Sequence, residues 1–232
     1  MSRKGNVILL SGCCAAVFIT ALPFFCEAQK RPRTGKLRVV RLAEPNLQGS
    51  VGLEEAISRR RSIRRFADKP LDFIQMGQLA WAGQGITDKQ RGFRAAPSAG
   101  ALFPIELYFI TTQGLFLYQP QEHSMRHVSS TDMRTQLSAA ALNQEWVAKA
   151  ACNIVIVGAV GKLTPRYGNK ANQFMLLEAG CVAENIQLQA VASGLASVLV
   201  GAFDERNVSL TCQLSSDIKP ILIISVGHPA GM

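Results

Sequence analysis

The order in which helical and strand patterns follow one another constrains the fold of this chain more than any other sequence feature. The longest helical pattern covers residues 169–193 and is followed by Gly194, a residue typical of helix C-terminal ends. Shorter apolar repeats predict helices over 53–59, 71–82, 133–148 and 205–214. Predicted strands cover 105–111, 115–118, 153–160, 197–200 and 220–226. Because helices and strands mix without a regular βαβ alternation, the predicted class is α+β.

Residues 1–28 have the composition of an export segment. Arg3 and Lys4 precede a 19-residue apolar run, 7–25, and Ala28 supplies a small residue before the polar chain begins. This order is typical of a cleaved export signal. Two alternatives remain, because the run could just span a bilayer as an uncleaved membrane anchor, and residues 10–13 resemble a lipoprotein cleavage box. In each case we expect the rest of the chain to lie outside the cytoplasm, as in the periplasm.

The chain that follows this segment is long enough for one domain. Taking residues 1–28 from the 232 leaves 204. We predict that residues 29–50, which mix charges with prolines and glycines, form an extended arm, and that residues 51–232 form the domain. Cys152, Cys181 and Cys212 occur without a C-x-x-C motif, so we expect three buried small residues rather than a zinc or dithiol site.

The formal charge of +9 is concentrated in one region. Residues 30–65 contain eleven Lys and Arg but only three acidic residues, whereas residues 66–232 contain twelve basic and twelve acidic residues. Proteins that bind nucleic acids usually carry their basic residues along an extended face. We therefore expect no nucleic-acid partner, and the basic excess indicates a local anion site or a basic entry segment.

Five arginines occupy the seven positions 59–65, together with Ser62. Guanidinium groups this close repel one another unless an anion lies among them, and their planar fork pairs bidentately with phosphate. The Ser62 hydroxyl adds another donor. From these residues alone two interpretations stay open: an anion-binding site, and a solvated basic face beside anionic lipid.

Other motifs are incomplete. Ser98 lies in a segment that misses G-x-S-x-G by one residue, and Asp204 or Asp217 followed by His228 gives the chain order of a hydrolase triad. A nucleophile elbow requires a buried strand before the serine, but residues 88–94 are mostly polar. No dinucleotide fingerprint or complete phosphate loop occurs. We expect no metal, because His123 and His127 lack a third ligand nearby and are expected to be solvated.

Several segments together resemble a known family. Residues 60–66, Arg-Arg-Ser-Ile-Arg-Arg-Phe, resemble the flavin-phosphate motif of the nitroreductase family. Residues 96–106, Ala-Pro-Ser-Ala-Gly-Ala-Leu-Phe-Pro-Ile-Glu, resemble its Pro-Ser loop, in the form of the streptolysin-type (SagB-like) thiazole/oxazole dehydrogenase branch. Segments 166–168, 176–180 and 200–204 match the same branch. The motifs follow the family order from about residue 51 to residue 228, and this shared register makes the resemblance specific.

The resemblance implies a nitroreductase-like fold, with a mixed or antiparallel central sheet flanked by helices, and an obligate homodimer with two FMN sites at the subunit interface. It implies that Arg60 and Ser62 bind the FMN phosphate, with Arg61 beside them in the cofactor site. Arg64 would lie near the pyrimidine edge of the flavin, where a fixed cation stabilises the reduced form. The residues implied to contact the ring are Pro97, Ser98, Ala99 and Ala101 from the partner subunit, and Gly201 and Ala202 through their backbone N–H groups.

The resemblance also implies an FMN-dependent oxidoreductase, in which the flavin carries hydride from NAD(P)H or another donor to an unidentified small-molecule acceptor. Arg166 and Tyr167 stand where azoline dehydrogenases have a Lys-Tyr pair, and they are candidate residues near the flavin. Two alternatives stay open: a thiazoline or oxazoline peptide dehydrogenase, and a catalytically degenerate dimeric scaffold that keeps the fold without the activity.

Overall fold

The computed structural model describes residues 38–231, in which seven of nine strands form one sheet. The strands are β1 (Val39–Arg41), β2 (Ile86–Asp88), β3 (Phe93–Arg94), β4 (Ile105–Thr111), β5 (Gly114–Gln119), β6 (Ser124–Ser129), β7 (Cys152–Gly158), β8 (Ala196–Val200) and β9 (Lys219–Gly227). The sheet has the order β1-β6-β5-β4-β7-β9-β8, and all neighbouring pairs are antiparallel. Strands β2 and β3 form a separate hairpin.

The register of the central strands defines two ends of the sheet. At one end, called the Thr111 end, Thr111 is opposite Cys152, and the row continues through β9 to Ser197. At the other, called the Ile105 end, Ile105 is opposite Gly158, which is opposite Lys219. The seven residues of β4 separate the two ends by about 20 Å, at about 3.3 Å per residue.

Helices cover both faces of this sheet. They are α1 (Leu53–Arg59), α2 (Phe73–Gln84), α3 (Arg134–Ala140), α4 (Glu145–Lys149), α5 (Thr164–Tyr167), α6 (Ala171–Ala192) and α7 (Glu205–Thr211). Leu107 and Phe109 of β4 pack with buried residues of α2 and α6, whereas Tyr108 and Ile110 pack with those of α3, α4 and α7. Burial on both faces explains why the central strands are nearly unbroken apolar runs.

Two features of the predicted secondary structure need correction. The single helix predicted over 133–148 is two helices, α3 and α4, because Leu142 and Asn143 take positive φ values of 57° and 59° between them. Strands β1, β2, β3 and β6 lie outside the predicted strands. His123, just before β6, and His127, within it, are half-buried rather than solvated. His123 contacts the Tyr118 hydroxyl through Nδ1 and the Ala43 carbonyl through Nε2, both at 2.9 Å.

Within residues 38–231, no helix is both long and apolar enough to cross a bilayer. The segment predicted as an export signal or anchor, residues 1–28, lies outside the described residues.

Candidate functional site

The arginine cluster is held in place by backbone pairing. Helix α1 ends at Arg59, with Arg60 as its C-cap. Ser62 then forms a parallel bridge with Ser197, where the Ile63 N–H donates to the Ser197 carbonyl at 2.9 Å. Further along, the Ala67 N–H donates to the carbonyl of His228 at 2.9 Å. The segment therefore lies against the first half of β8 and the residues after β9. This pairing fixes the backbone from which the arginine side chains extend, at the Thr111 end of the sheet.

The charge of this cluster is only partly compensated. Arg59 pairs with Glu55 on its own helix at 2.7 Å, and Arg60 Nε lies 3.8 Å from Glu184 Oε1 on α6. Arg61 donates to backbone carbonyls, including its neighbour's at 2.7 Å. Among the described residues these two carboxylates are the only ones paired with the five guanidinium groups. Such an excess of hydrogen-bond donors and positive charge is suited to binding a dianionic phosphate. Ser62 is exposed among these arginines and adds a hydroxyl donor.

Helix α4 contacts both the Arg64 side chain and the turn that follows β8. The Arg64 guanidinium lies over the Trp146 ring, 5.2 Å from its centroid. One residue before α4, Gln144 Nε2 donates to the Ala202 carbonyl at 2.9 Å. The turn that holds the exposed Gly201 and Ala202 is thus fixed to the same short helix as Arg64. We call the strip from Arg60 to Ala202 along β8 the arginine strip.

The predicted Pro-Ser loop lies elsewhere. Pro97 and Ser98 precede a turn of 3-10 helix, Ala99–Ala101, and the Ser98 hydroxyl accepts a hydrogen bond from the Phe103 N–H at 2.9 Å. The loop then enters β4 through Pro104, whose carbonyl accepts the Ala159 N–H at 3.0 Å. These contacts place the loop at the Ile105 end of the sheet.

Arg166 and Tyr167 of α5 lie against this loop. A Cβ atom added to Gly100 would come within 2.8 Å of both Arg166 Nη1 and the Tyr167 hydroxyl. The Tyr167 ring also packs edge-on against Phe174 of α6, with centroids 4.8 Å apart. The structure therefore brings both candidate residues to the Pro-Ser loop and not to the arginine strip.

Ser62 and the Pro-Ser loop are at opposite ends of the strands, so one copy of the chain does not bring all the predicted flavin contacts together. Ser62 pairs in the Thr111 row, and the loop enters the sheet at Ile105, about 20 Å away along the strand direction. The same separation excludes the hydrolase interpretation, because Ser98 lies at the Ile105 end and His228 follows β9 at the Thr111 end.

The three cysteines do not share one environment, which corrects the expectation that all are buried. Cys152 and Cys212 are buried, and burial raises the pKa of both thiols, that of Cys212 to about 12. Both are therefore protonated and unreactive near neutral pH. Cys181 is exposed on α6. Residues 38–231 contain no group of three His, Cys, Asp or Glu placed to bind a metal ion.

Comparison with known proteins identifies the family. A family model described as "Nitroreductase family" matches residues 57–228, most of the chain. The chain belongs to the nitroreductase family. Membership confirms the prediction of an FMN-dependent oxidoreductase, and the matched segment contains every residue predicted to contact the flavin.

Individual relatives support the assignment to the nitroreductase family. The chain is 31% identical over 184 residues to the Methanocaldococcus jannaschii protein named "Putative nitroreductase MJ1384", covering 77% of this chain and 91% of that one. A Ralstonia eutropha structure titled as a "putative nitroreductase" superposes with a TM-score of 0.76 at 29% identity, over 87% of this chain and 95% of that chain. The Vibrio harveyi NADPH:FMN oxidoreductase, solved with NAD+, has a TM-score of 0.59 at 21% identity over 77% of this chain and 69% of that chain, and it shows the same fold. The predicted fold class is confirmed.

The residues of this nitroreductase fit FMN in two parts. The arginine strip supplies the cations and hydroxyl that a phosphate requires, and small residues 201–202 leave the backbone open at its other end. Sequence reasoning missed Gln144 and Trp146, which fix this second end. Gln144 is 58 positions from its partner Ala202, so no local pattern indicates the contact.

Proposed function

We propose that this nitroreductase uses FMN to transfer electrons from a reduced nicotinamide nucleotide to a small-molecule acceptor. The observation that carries the proposal is the arginine strip, whose backbone is fixed to β8 and whose guanidinium groups have few carboxylate partners. The nicotinamide donor is supported by the fold neighbour from Vibrio harveyi, which is named an NADPH:FMN oxidoreductase and was solved with NAD+.

In this proposal Arg60, Arg61 and Ser62 bind the phosphate, and Arg64 lies at the pyrimidine edge of the ring. When bound, FMN supplies hydride chemistry, so the protein's task is binding, orientation and electrostatics. Arg64 is suited to the electrostatic part because the Trp146 ring holds its guanidinium in place before any charge develops.

We also propose that the functional unit is a homodimer. Helix α6 exposes Leu176, Leu177 and Cys181 at helical spacing, and α1 exposes Leu53 and Ile57. Exposed apolar residues on two helices that pack together, as α1 and α6 do, are typical of an interface. A second copy is the occupant that explains two observations together, because it covers this face and brings its own Pro-Ser loop to the arginine strip.

The test is flavin retention. Purified full-length chain is reconstituted with FMN, desalted, and titrated anaerobically with NADH and NADPH. Wild type should keep a flavin spectrum that bleaches with one nucleotide. The double variant Arg60→Ala/Ser62→Ala should lose flavin and activity together, since each lost charge-assisted hydrogen bond costs about 1.5–3 kcal/mol.

The matched control is Arg59→Ala, which removes a neighbouring guanidinium that is already paired with Glu55. It should retain flavin. Full flavin retention by the double variant would refute the assignment of the phosphate site. Failure of wild type to retain flavin would instead favour the degenerate dimeric scaffold.

A second candidate function is oxidation of a thiazoline or oxazoline peptide, as in the streptolysin-type branch. The observation that favours it is the contact of Arg166 and Tyr167 with Gly100 in the Pro-Ser loop. A guanidinium stays charged and is a poor base, which leaves the Tyr167 hydroxyl as the group able to exchange a proton there. Flavin reduction by a thiazoline peptide that is abolished in Tyr167→Phe, with NAD(P)H reduction intact, would support this candidate.

For location, we propose export through residues 1–28 into the periplasm or an equivalent space, with membrane anchoring through the same segment as the alternative. The support is the sequence pattern of a charged start followed by 19 mostly apolar residues. N-terminal sequencing of the protein from membrane and soluble extracytoplasmic fractions separates the two. A mature N-terminus near residue 29 in the soluble fraction would support cleavage, and an intact terminus in membranes would support the anchor.

A further inference from the structure

A carboxylate lies buried beneath the Pro-Ser loop. Glu178 is on α6, and it is only 3% exposed. Neither of its oxygens is in hydrogen-bond contact with a described residue. Burial raises the pKa of this carboxyl, as expected when a charged form loses its water. A buried acid without a close partner is rare, and it calls for a physical explanation.

The groups that face Glu178 come from both ends and the middle of one loop. The Arg94 guanidinium stands immediately before residues 95–104, the Ser98 hydroxyl lies within them, and the Ile105 backbone N–H stands immediately after them. The Gln84 side chain, at the end of α2, faces it as well. All four groups can donate hydrogen bonds, and each favours the ionised carboxylate against the effect of burial. Glu178 is therefore the one carboxylate that these four donor groups surround at the base of the loop.

Arg94 connects this base to the far side of the loop. Its Nη1 donates to Gln84 Oε1 at 2.7 Å, and its guanidinium lies 4.5 Å from the centroid of the Phe103 ring. Two further donors, Arg94 Nε and Gln84 Nε2, are buried without hydrogen-bond partners among the described residues. Unpaired donors and unpaired acceptors thus occur in the same cluster, where small movements or bridging water can join them.

The loop itself has a backbone that needs support. Gly100, Ala101 and Phe103 all have positive φ, at 61°, 53° and 46°. This region is disfavoured for residues with a Cβ, and such conformations persist only where the surroundings hold them. Inside the loop, the hydrogen bond from the Phe103 N–H to Ser98 Oγ joins the end of the turn to its start. Backbone bonds to Gly85 and Ala159 hold the two ends of the loop, and the groups around Glu178 together with Arg166 and Tyr167 lie against its middle.

We propose that Glu178 is a positioning residue that holds residues 95–104 in the shape in which Pro97–Ala101 of one subunit meets the flavin bound to the other. The proposal rests on the proposed FMN function and dimer. It assigns Glu178 no contact with the flavin. Its carboxylate acts through Arg94, Ser98 and the Ile105 N–H, which together set where the loop begins, turns and enters β4.

The test compares Glu178→Gln and Glu178→Ala with a matched control, Gln187→Met. Gln187 is another buried polar residue on α6, nine positions and about 13 Å further along the helix axis. Its amide nitrogen has no hydrogen-bond partner within residues 38–231. Hydrogen–deuterium exchange over 95–104 is measured on the full chain without added FMN. The affinity for FMN and the visible circular dichroism of bound FMN are measured after reconstitution.

Both Glu178 variants should raise exchange in 95–104 by about tenfold, equivalent to a loss of about 1.4 kcal/mol of local stability. Exchange over 60–66 should stay unchanged. FMN affinity should fall by about tenfold, and the dichroism of the bound flavin should change. Gln187→Met should leave loop exchange and flavin dichroism as in wild type even where it lowers the melting temperature.

Wild-type loop exchange and flavin dichroism in both Glu178 variants would overturn the proposal. If Glu178→Ala does not fold, Glu178→Gln still decides the question because it keeps the side-chain volume. The exchange measurement does not depend on FMN, so a wild-type chain that binds no flavin refutes the proposed function while the role of Glu178 in shaping the loop is still tested.

Discussion

The guanidinium of Arg64 lies over the indole ring of Trp146, 5.2 Å from its centroid, and this contact joins the arginine segment to α4. Since Gln144 at the start of α4 also binds the Ala202 carbonyl, one short helix sets both the cation and the turn that are assigned to the ring end of the site. The consequence is that residues outside every recognised motif control the geometry of the arginine strip.

Replacing Trp146 tests this relationship. Trp146→Leu removes the cation–π contact, which is worth about 0.5–1 kcal/mol at a partly exposed site, and we expect FMN affinity to fall by two- to fivefold. Trp146→Phe keeps an aromatic face and should stay close to wild type. Fluorescence titration of FMN measures both. Equal loss in the two variants would show that packing, rather than the ring's interaction with Arg64, matters here.

Placing a charge on the exposed face of α6 should prevent dimerisation. Leu177 is 60% exposed in the single chain, so Leu177→Glu costs little folding stability in a monomer but places a carboxylate in the proposed interface. We expect a monomer by sedimentation and a loss of flavin. Leu210→Glu on α7, at a residue 67% exposed, is the control and should remain dimeric. A dimer in both variants would place the interface elsewhere.

A methyl group at Gly100 should change the site more than the stability. Gly100 and Gly194 both have positive φ, at 61° and 69°, so an alanine at either position should cost about 1 kcal/mol. Only at Gly100 would the new Cβ meet Arg166 and Tyr167, whose flexible side chains can swing away from the loop. We expect similar losses in urea unfolding, with a changed flavin spectrum in Gly100→Ala alone. An unchanged flavin spectrum in Gly100→Ala would show that Arg166 and Tyr167 do not contact the flavin ring.

The buried acid predicts a pH dependence of stability. Because burial raises the pKa of Glu178 above its ordinary value of 4.5, the folded chain holds this proton more tightly than the unfolded chain does. Its contribution to the free energy of unfolding is therefore complete below pH 4.5 and is lost as pH rises through the folded-state pKa.

Urea unfolding of wild type and Glu178→Gln, at a series of pH values from 4.5 upward, measures this effect. Gln cannot ionise, so the stability of wild type relative to Glu178→Gln should decline as pH rises. A difference that is constant across the series would mean that Glu178 titrates as it does in the unfolded chain.

The strands and helices at the centre of the molecule could be predicted because their burial produces a periodic pattern of apolar residues within each segment. Strands β4 and β7 are apolar along most of their length since both faces are covered, and α6 repeats its apolar residues over 22 positions. Strands β1 and β6 could not be found this way. They lie at one edge of the sheet and carry polar and half-buried residues. Hydrogen bonding of β6 to β5, and of β1 to β6, makes them strands, rather than their own composition.

The candidate site likewise has features that the sequence predicts and features that only the structure shows. Sequence by itself determined the family, the crowded arginines with Ser62, and the Pro-Ser loop, because each is a short segment with its own chemistry. Only the tertiary structure decided that the loop and the arginine strip lie at opposite ends of the sheet, and that Trp146, Gln144 and Glu178 support them. The physical reason is that these are contacts between residues brought together by sheet register and helix packing, and such contacts leave no periodicity in the segments that make them.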